Sequence, residues 1–126
     1  MIGYVTLGTN DLEKSTAFYD ALLAEIGASR VMDEVNHFVA WGVDLSKPCL
    51  TVTRPCDEKR ATVGNGVMVA LVMENTDQVD AFYQKAIDLG ATDEGLPGPR
   101  GEGSFYSGYF RDLDGNKLNA FCITPS

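Results

Sequence analysis

Few side chains in this sequence are equipped for chemistry, and those few show no catalytic spacing. His37 is the only histidine. It opens a predicted strand beside Asn36 with no identifiable partner to make it a general base, so a strand-edge role is the simpler reading. Glu102 is the second candidate acid or base. It falls in Gly95-Leu96-Pro97-Gly98-Pro99-Arg100-Gly101-Glu102-Gly103, where four glycines and two prolines predict no regular structure. A loop of this kind beside a pocket often serves as a lid, and Arg100 in it would meet a carboxylate or other anion through a bidentate contact. A solvated linker in which Arg100 and Glu102 neutralise each other explains the same residues equally well. Arg54, after the fourth predicted strand, has the same two readings. Tyr4 and Tyr19 are phenols with a reference pKa of about 10, and each needs a perturbing neighbour to act as an acid. Cys49, Cys56 and Cys122 are odd in number and lack Cys-x-x-Cys spacing, which favours free thiols over a disulfide framework or a thiolate zinc site.

The elements that must position these groups come from an internal repeat. Ala17-Phe18-Tyr19 followed by Ile26-Gly27-Ala28 returns as Ala81-Phe82-Tyr83 followed by Leu89-Gly90-Ala91, 64 residues on at the start and 63 at the glycine. The apolar runs Tyr4-Val5-Thr6-Leu7 and Met68-Val69-Ala70-Leu71 are again 64 apart, which pairs Tyr4 with Met68. Asn10 with Glu13, and Asn75 with Gln78, read as capping boxes, and Gly27 and Gly90 as stops. Val79, Phe82, Tyr83, Ala86 and Ile87 form one apolar stripe at helical spacing. Strands are expected over 2–8, 29–35, 37–43 and 48–54, then 66–74, 104–111 and 117–123, with a short one near 91–95. The fold class is therefore α+β, with two tandem β-α-β-β-β modules of about 1–60 and 61–126. Together they make one domain whose curved mixed sheet has pseudo-twofold symmetry around a cleft.

Composition narrows the function. The chain has 126 residues and a net charge of −8, with no basic run longer than the mixed Asp57-Glu58-Lys59-Arg60, so a nucleic-acid partner is not expected. The longest apolar stretch is Val67 to Met73, seven residues, too short for the roughly 18 or more of a membrane span. The N-terminus lacks the pattern of an export signal, which makes the cytoplasm the default expectation.

Strand alternation sorts the two faces of each module. Val5, Leu7, Leu50, Val52, Val69, Leu71, Leu118 and Ala120 are apolar and belong under the helices. The opposite face carries Tyr4 and Thr6, Thr51 and Thr53, Met68 and Ala70, Asn119 and Phe121. Aromatic residues Trp41, Phe38, Phe105, Tyr106, Tyr109 and Phe121 line or border this concavity, most of them as core. Tyr4, Trp41, Phe121 and Met68 around Asn119 and Thr51 would make an apolar cup with a few hydrogen-bonding groups.

These residues place the chain by resemblance. Val5-Thr6-Leu7-Gly8 with Asn10-Asp11-Leu12-Glu13-Lys14-Ser15 and Ala17-Phe18-Tyr19, the second Ala81-Phe82-Tyr83, and Asp112-Leu113-Asp114-Gly115-Asn116-Lys117-Leu118 resemble the vicinal oxygen chelate superfamily of glyoxalases, bleomycin-resistance proteins and extradiol dioxygenases. Metal-dependent members hold one divalent ion from the first, fourth, fifth and last strands, at positions that here are Tyr4, Thr51, Met68 and Asn119. A phenol, a hydroxyl, a thioether and an amide are a poor donor set for Ni, Zn, Fe or Mn, so no metal and no other cofactor is expected. The resemblance then implies a binder of a small organic molecule in the cleft between modules, with Tyr4, Trp41, Thr51, Met68, Arg100, Phe105, Asn119 and Phe121 as ligand contacts, and a homodimer. Two other functions compete. One is a lyase, isomerase or dioxygenase-type enzyme, with displaced ligands around a divalent metal or with metal-free acid-base chemistry from Glu102, His37 or a tyrosine. The other is a structural or regulatory module that has lost its ligand.

Overall fold

The computed structural model describes residues 1–34 and 36–124. They fall into two compact units, Met1–Gly64 and Asn65–Ser126. The first contains β1 (Tyr4–Gly8), α1 (Leu12–Ala24), β2 (Ser29–Glu34), β3 (Phe38–Gly42) and β4 (Cys49–Thr53). The second contains β5 (Val69–Val72), α2 (Thr76–Asp88), β6 (Thr92–Pro99), β7 (Phe105–Arg111) and β8 (Lys117–Ile123). Each is a β-α-β-β-β module, and the fold is α+β. The final residue of the strand expected over 29–35 lies outside the described residues. Among the described residues, no helix is long and apolar enough to cross a membrane.

Both sheets have one topology. Strand order is β1-β4-β3-β2 in the first and β5-β8-β7-β6 in the second. The two outer pairs β1/β4 and β5/β8 are parallel and the other pairs antiparallel. A parallel pair cannot be closed by a hairpin, and the helix with two further strands makes the long connection it needs.

Local chemistry sets the ends of the elements. The cap of α1 is Asp11, whose carboxylate accepts from the Lys14 backbone N–H at 3.1 Å, and not Asn10 as the Asn10/Glu13 spacing suggested. Asn10 is engaged elsewhere. Its side chain donates to the Ala61 carbonyl at 3.1 Å and accepts from the Ala61 N–H at 2.7 Å, fastening the segment after β4 back onto the start of α1. Asn75 does cap α2, accepting from the Gln78 N–H at 2.8 Å, while Gln78 accepts from the Glu74 N–H. Both helices end on a glycine at positive φ, Gly27 at 75° and Gly90 at 107°. In both, the next alanine N–H reaches back five residues, Ala28 to the Leu23 carbonyl and Ala91 to the Ala86 carbonyl, the wrap that a left-handed residue permits.

Turns before the last strand of each module are built around an aspartate. Asp44 accepts from the Ser46 N–H, and Asp112 accepts from the N–H groups of Asp114 and Asn116, both at 2.9 Å. Asp112 is buried, and these donors satisfy the charge that burial would otherwise penalise.

The cores lie between each helix and its own sheet. In the first module Phe18, Tyr19, Leu22 and Leu23 meet Leu7, Val39, Trp41, Leu50 and Val52, all buried. In the second Val79, Phe82, Tyr83 and Ala86 meet Phe110, Leu118, Ala120 and Cys122. Each large apolar side chain so buried contributes about 1.5–3 kcal/mol relative to exposure. Val69 and Leu71, expected under α2, are only half-buried, because β5 is the short outer strand and α2 packs over β6, β7 and β8.

Strand β6 is longer than the stretch near 91–95. It continues through Gly95, Pro97 and Pro99 with register shifts on either side of Gly95. An outer strand tolerates proline because the N–H it lacks would face away from the ladder, and glycine accommodates the bulges. The irregular loop is thereby reduced to Arg100–Ser104.

Candidate ligand-binding faces

On the face of the first sheet turned away from α1, the register sets Thr6 opposite Thr51, Thr51 opposite Ala40, Tyr4 opposite Cys49 and Phe38 opposite Thr53. With Gly3, Met32 and Leu45 these residues line a cup of about 470 Å³. Ala40 and Thr51 are buried at its floor, and Tyr4 at its rim is 69% exposed. None of the lining residues is charged. Thr53 is engaged with the carbonyls of His37 and Arg54, at 3.2 and 2.9 Å. The hydroxyls of Thr6 and Thr51 have no hydrogen-bond partner among the described residues, so two polar groups sit side by side in an otherwise apolar hollow. Cys49 Sγ donates to the backbone carbonyls of Lys47 at 3.3 Å and Asp44 at 3.8 Å.

Trp41 is not in this cup. It follows Ala40, and the period-two alternation sends the two to opposite faces. Trp41 is 1% exposed beneath α1, tilted against Tyr19 with ring centroids 5.5 Å apart, and its indole N–H donates to Asp20 Oδ1 at 2.8 Å. Asp20 is also bonded by Arg30, at 2.9 and 2.6 Å. That guanidinium holds the Asp20 carboxyl below the usual carboxylate range, against the opposing effect of partial burial and with the help of the Trp41 N–H. The assembly locks α1 to β2 and β3 and is structural.

His37 lies in the turn between β2 and β3, exposed, on a separate open groove of about 1110 Å³ that it shares with Glu34, Arg54, Glu58, Lys59 and Arg60. No side-chain partner for the imidazole is present among the described residues. Glu102 is exposed in the loop after β6, and among the described residues no ion pair joins it to Arg100.

On the second sheet, the face away from α2 carries Asn119 and Phe121 of β8 with Phe105, Ser107 and Tyr109 of β7, Tyr109 directly opposite Asn119. Ala70 of β5 lies on the other side of Asn119, and Met68, 40% exposed, just precedes that strand. Phe105 and Phe121 stack at 5.4 Å. Asn119 is 1% exposed. Its amide N–H donates to Ser107 Oγ at 2.9 Å, and Ser107 in turn donates its one hydroxyl proton to the Ala120 carbonyl at 3.2 Å. That order of donation fixes the amide orientation. Asn119 Oδ1 is consequently left buried with no partner among the described residues.

Of the four positions that the resemblance equates with metal ligands, Tyr4 and Thr51 fall on the open face of the first sheet and Asn119 on that of the second, while Met68 just precedes β5. Their donors do not fit a divalent transition ion, which requires imidazole, thiolate or carboxylate. Among the described residues no three His, Cys, Asp or Glu side chains gather to replace them. Cys49, Met32, Ala40 and Leu45 line the cup but do not stand out in the sequence. For Cys49 and Ala40 the readable signal is the two-residue step from Thr51 and Phe38, whereas Met32 and Leu45 depend on the strand ends.

With this geometry, the chain matches the model of the Glyoxalase/Bleomycin resistance protein/Dioxygenase superfamily over residues 1–120. It belongs to that superfamily. Among solved structures, a glyoxalase/bleomycin resistance protein from Albidiferax ferrireducens T118 is similar at 34% identity and a TM-score of 0.88, covering 98% of this chain and 99% of that one. The genomically encoded fosfomycin resistance protein FosX from Listeria monocytogenes is 18% identical, with a TM-score of 0.73 over 98% of this chain and 93% of that one. A lactoylglutathione lyase from Agrobacterium tumefaciens is 20% identical, with a TM-score of 0.70 over 97% and 92%. The last two likenesses concern the fold alone. No curated protein matches the chain.

Proposed function

We propose that the protein binds a small, uncharged organic molecule in the cup on the open face of the first module, without a metal ion. One observation carries this reading. A hollow of about 470 Å³ is lined by apolar side chains and threonine hydroxyls and by no charged residue, in a chain rich in carboxylates. Pockets of this size and lining suit small ligands, with a few polar groups fixing orientation. Thr6 and Thr51 supply that polar anchor, and Tyr4, Phe38, Met32 and Leu45 the apolar wall. An anion or cation entering the cup would lose its hydration with no counter-charge in return.

The test is native mass spectrometry of the protein purified from its own source, with metal analysis, followed by a thermal-shift screen of uncharged metabolites and antibiotics. Antibiotics belong in the screen because of the resistance proteins among the structural relatives. A bound organic adduct, or a ligand whose stabilisation reaches about 2.7 kcal/mol at 100 times its dissociation constant, is the expected result. Thr51→Val should weaken that ligand about five- to tenfold, the worth of one hydrogen bond. Stabilisation that needs a divalent ion, or that survives filling of the cup floor by Ala40→Leu, would overturn the reading.

A further inference from the structure

Three cations on the second module, Lys85, Arg100 and Lys117, make no ion pair among the described residues, and Lys85 lies in the last turn of α2, where a positive charge suits the helix dipole. Arg30 is paired with Asp20 and Asp33, and Arg111 with Glu94. Arg100 and Lys117 have no carboxylate within 4.0 Å among the described residues, although the chain holds 18 carboxylates against 10 Lys and Arg. Both converge on one ring. The Arg100 guanidinium carbon lies 5.4 Å, and Lys117 Nζ 5.6 Å, from the Tyr109 centroid. Both are half-buried.

Arg100 is also held in place. One terminal nitrogen donates to the Leu96 carbonyl at 2.6 Å and the other to the Pro99 carbonyl at 3.2 Å. The bulged strand β6 makes room for it. A Cβ at Gly95 would lie 3.3 Å from one terminal nitrogen and 3.2 Å from the Tyr109 ring, and a Cβ at Gly98 would lie 3.3 Å from the other nitrogen. These bonds use two of the five guanidinium N–H groups and leave three. A cation stacked on an aromatic face, fixed by carbonyls and still carrying free donors has already lost the side-chain entropy that binding would cost.

We propose that Arg100 and Lys117, flanking Tyr109, form an anion subsite on the second module that takes a carboxylate or phosphate oxyanion. Arg100 supplies directional N–H donors, and Lys117 adds a second charge beside the same ring. An oxyanion there supplies the counter-charge that neither cation finds in a carboxylate. The subsite stands on the second module by itself, and its success or failure is independent of the cup on the first.

The experiment is a side-chain NMR titration of the whole chain, following Arg100 Nε–H and the Tyr109 ring while sodium acetate or inorganic phosphate replaces chloride at constant ionic strength. Saturable shifts at both groups are expected. Saturation by both anions identifies a general oxyanion site, and saturation by one alone identifies that anion's chemistry. Lys117→Gln, which leaves the β6 cradle intact, should weaken binding about five- to tenfold, and Arg100→Gln should abolish it. Arg54→Gln, a change to an exposed cation on the other module, should leave it unaltered. Linear, non-saturating shifts, or saturation unchanged in Lys117→Gln, would overturn the proposal.

Discussion

Asn119→Leu should stabilise this protein, although it removes a fully buried hydrogen-bonding side chain. Asn119 Oδ1 is buried without a partner among the described residues, and an unsatisfied buried acceptor costs about 1–3 kcal/mol. The amide N–H bond to Ser107, at 2.9 Å, returns a net of about 0.5–1.5 kcal/mol. Leucine shares the γ-branching of asparagine but is larger; it removes both contributions and leaves Ser107 donating to the Ala120 carbonyl as before. Their difference is a gain of about 1 kcal/mol. Ser107→Ala has the opposite sign, because it strands the amide N–H as well as Oδ1 and should cost about 1–3 kcal/mol. Urea or thermal unfolding of the two variants measures both, with 1 kcal/mol corresponding to about 3–5 °C in a chain of this size. A loss of more than about 1 kcal/mol in Asn119→Leu would refute the reasoning, since Oδ1 must then be satisfied in solution, and a donor retained through purification would be sought first.

Two further predictions concern the second module. Tyr83 donates to Asp93 Oδ1 at 2.7 Å, and burial, followed by this bond to a carboxylate, pushes its phenol up to about 12. The unfolded chain loses that proton near pH 10 and the folded one does not, so the contribution of Tyr83 is complete below pH 10 and stability falls from there to about pH 12. Asp93→Asn should bring the phenol down only part of the way, because burial is the larger cause. Ultraviolet titration of the phenolate checks this, and a return all the way to about 10 would contradict it. Gly108→Ala places a Cβ 2.9 Å from the Pro97 ring and 3.3 Å from its backbone Cα. It should cost about 1–3 kcal/mol, whereas Gly3→Ala, with open space around the new methyl, should change nothing in the same unfolding assay.

The scaffold was legible because each of its devices is local. Gly27 and Gly90, the aspartate turns at Asp44 and Asp112, and the stripe of α2 announce themselves over a few residues, and their recurrence at 63 to 68 residues gives the module order. What the sequence concealed depends on partners distant along the chain. Asn10 and Asp11 are both good capping residues, and only the fastening of Ala61 to Asn10 decides between them. Trp41 has the composition of a pocket residue, and its place is decided by one step of strand register and by Asp20, 21 residues earlier. In the Gly95–Pro99 segment, glycine and proline signalled a loop. The edge position of β6 lets both into a strand, and the cradle for Arg100 exists only because that strand bulges.

The two open faces then diverge for a definable reason. Matched positions, Thr6 with Ala70 and Thr51 with Asn119, occupy equivalent places in the same parallel pairing. Cys49, two residues before Thr51, corresponds to Lys117, two residues before Asn119. Along β1, β3, β4 and β8 the alternate residues face the helix, and there both modules remain apolar, because a cavity or an unpaired polar group in that layer costs several kcal/mol. On the open side no helix imposes this constraint. One copy has filled its open face with hydroxyls, a thiol and apolar groups, and the other with a buried amide and cations stacked on a tyrosine. A strand separates its two faces by a single residue, so the fold can be held constant on one while the chemistry on the other is replaced.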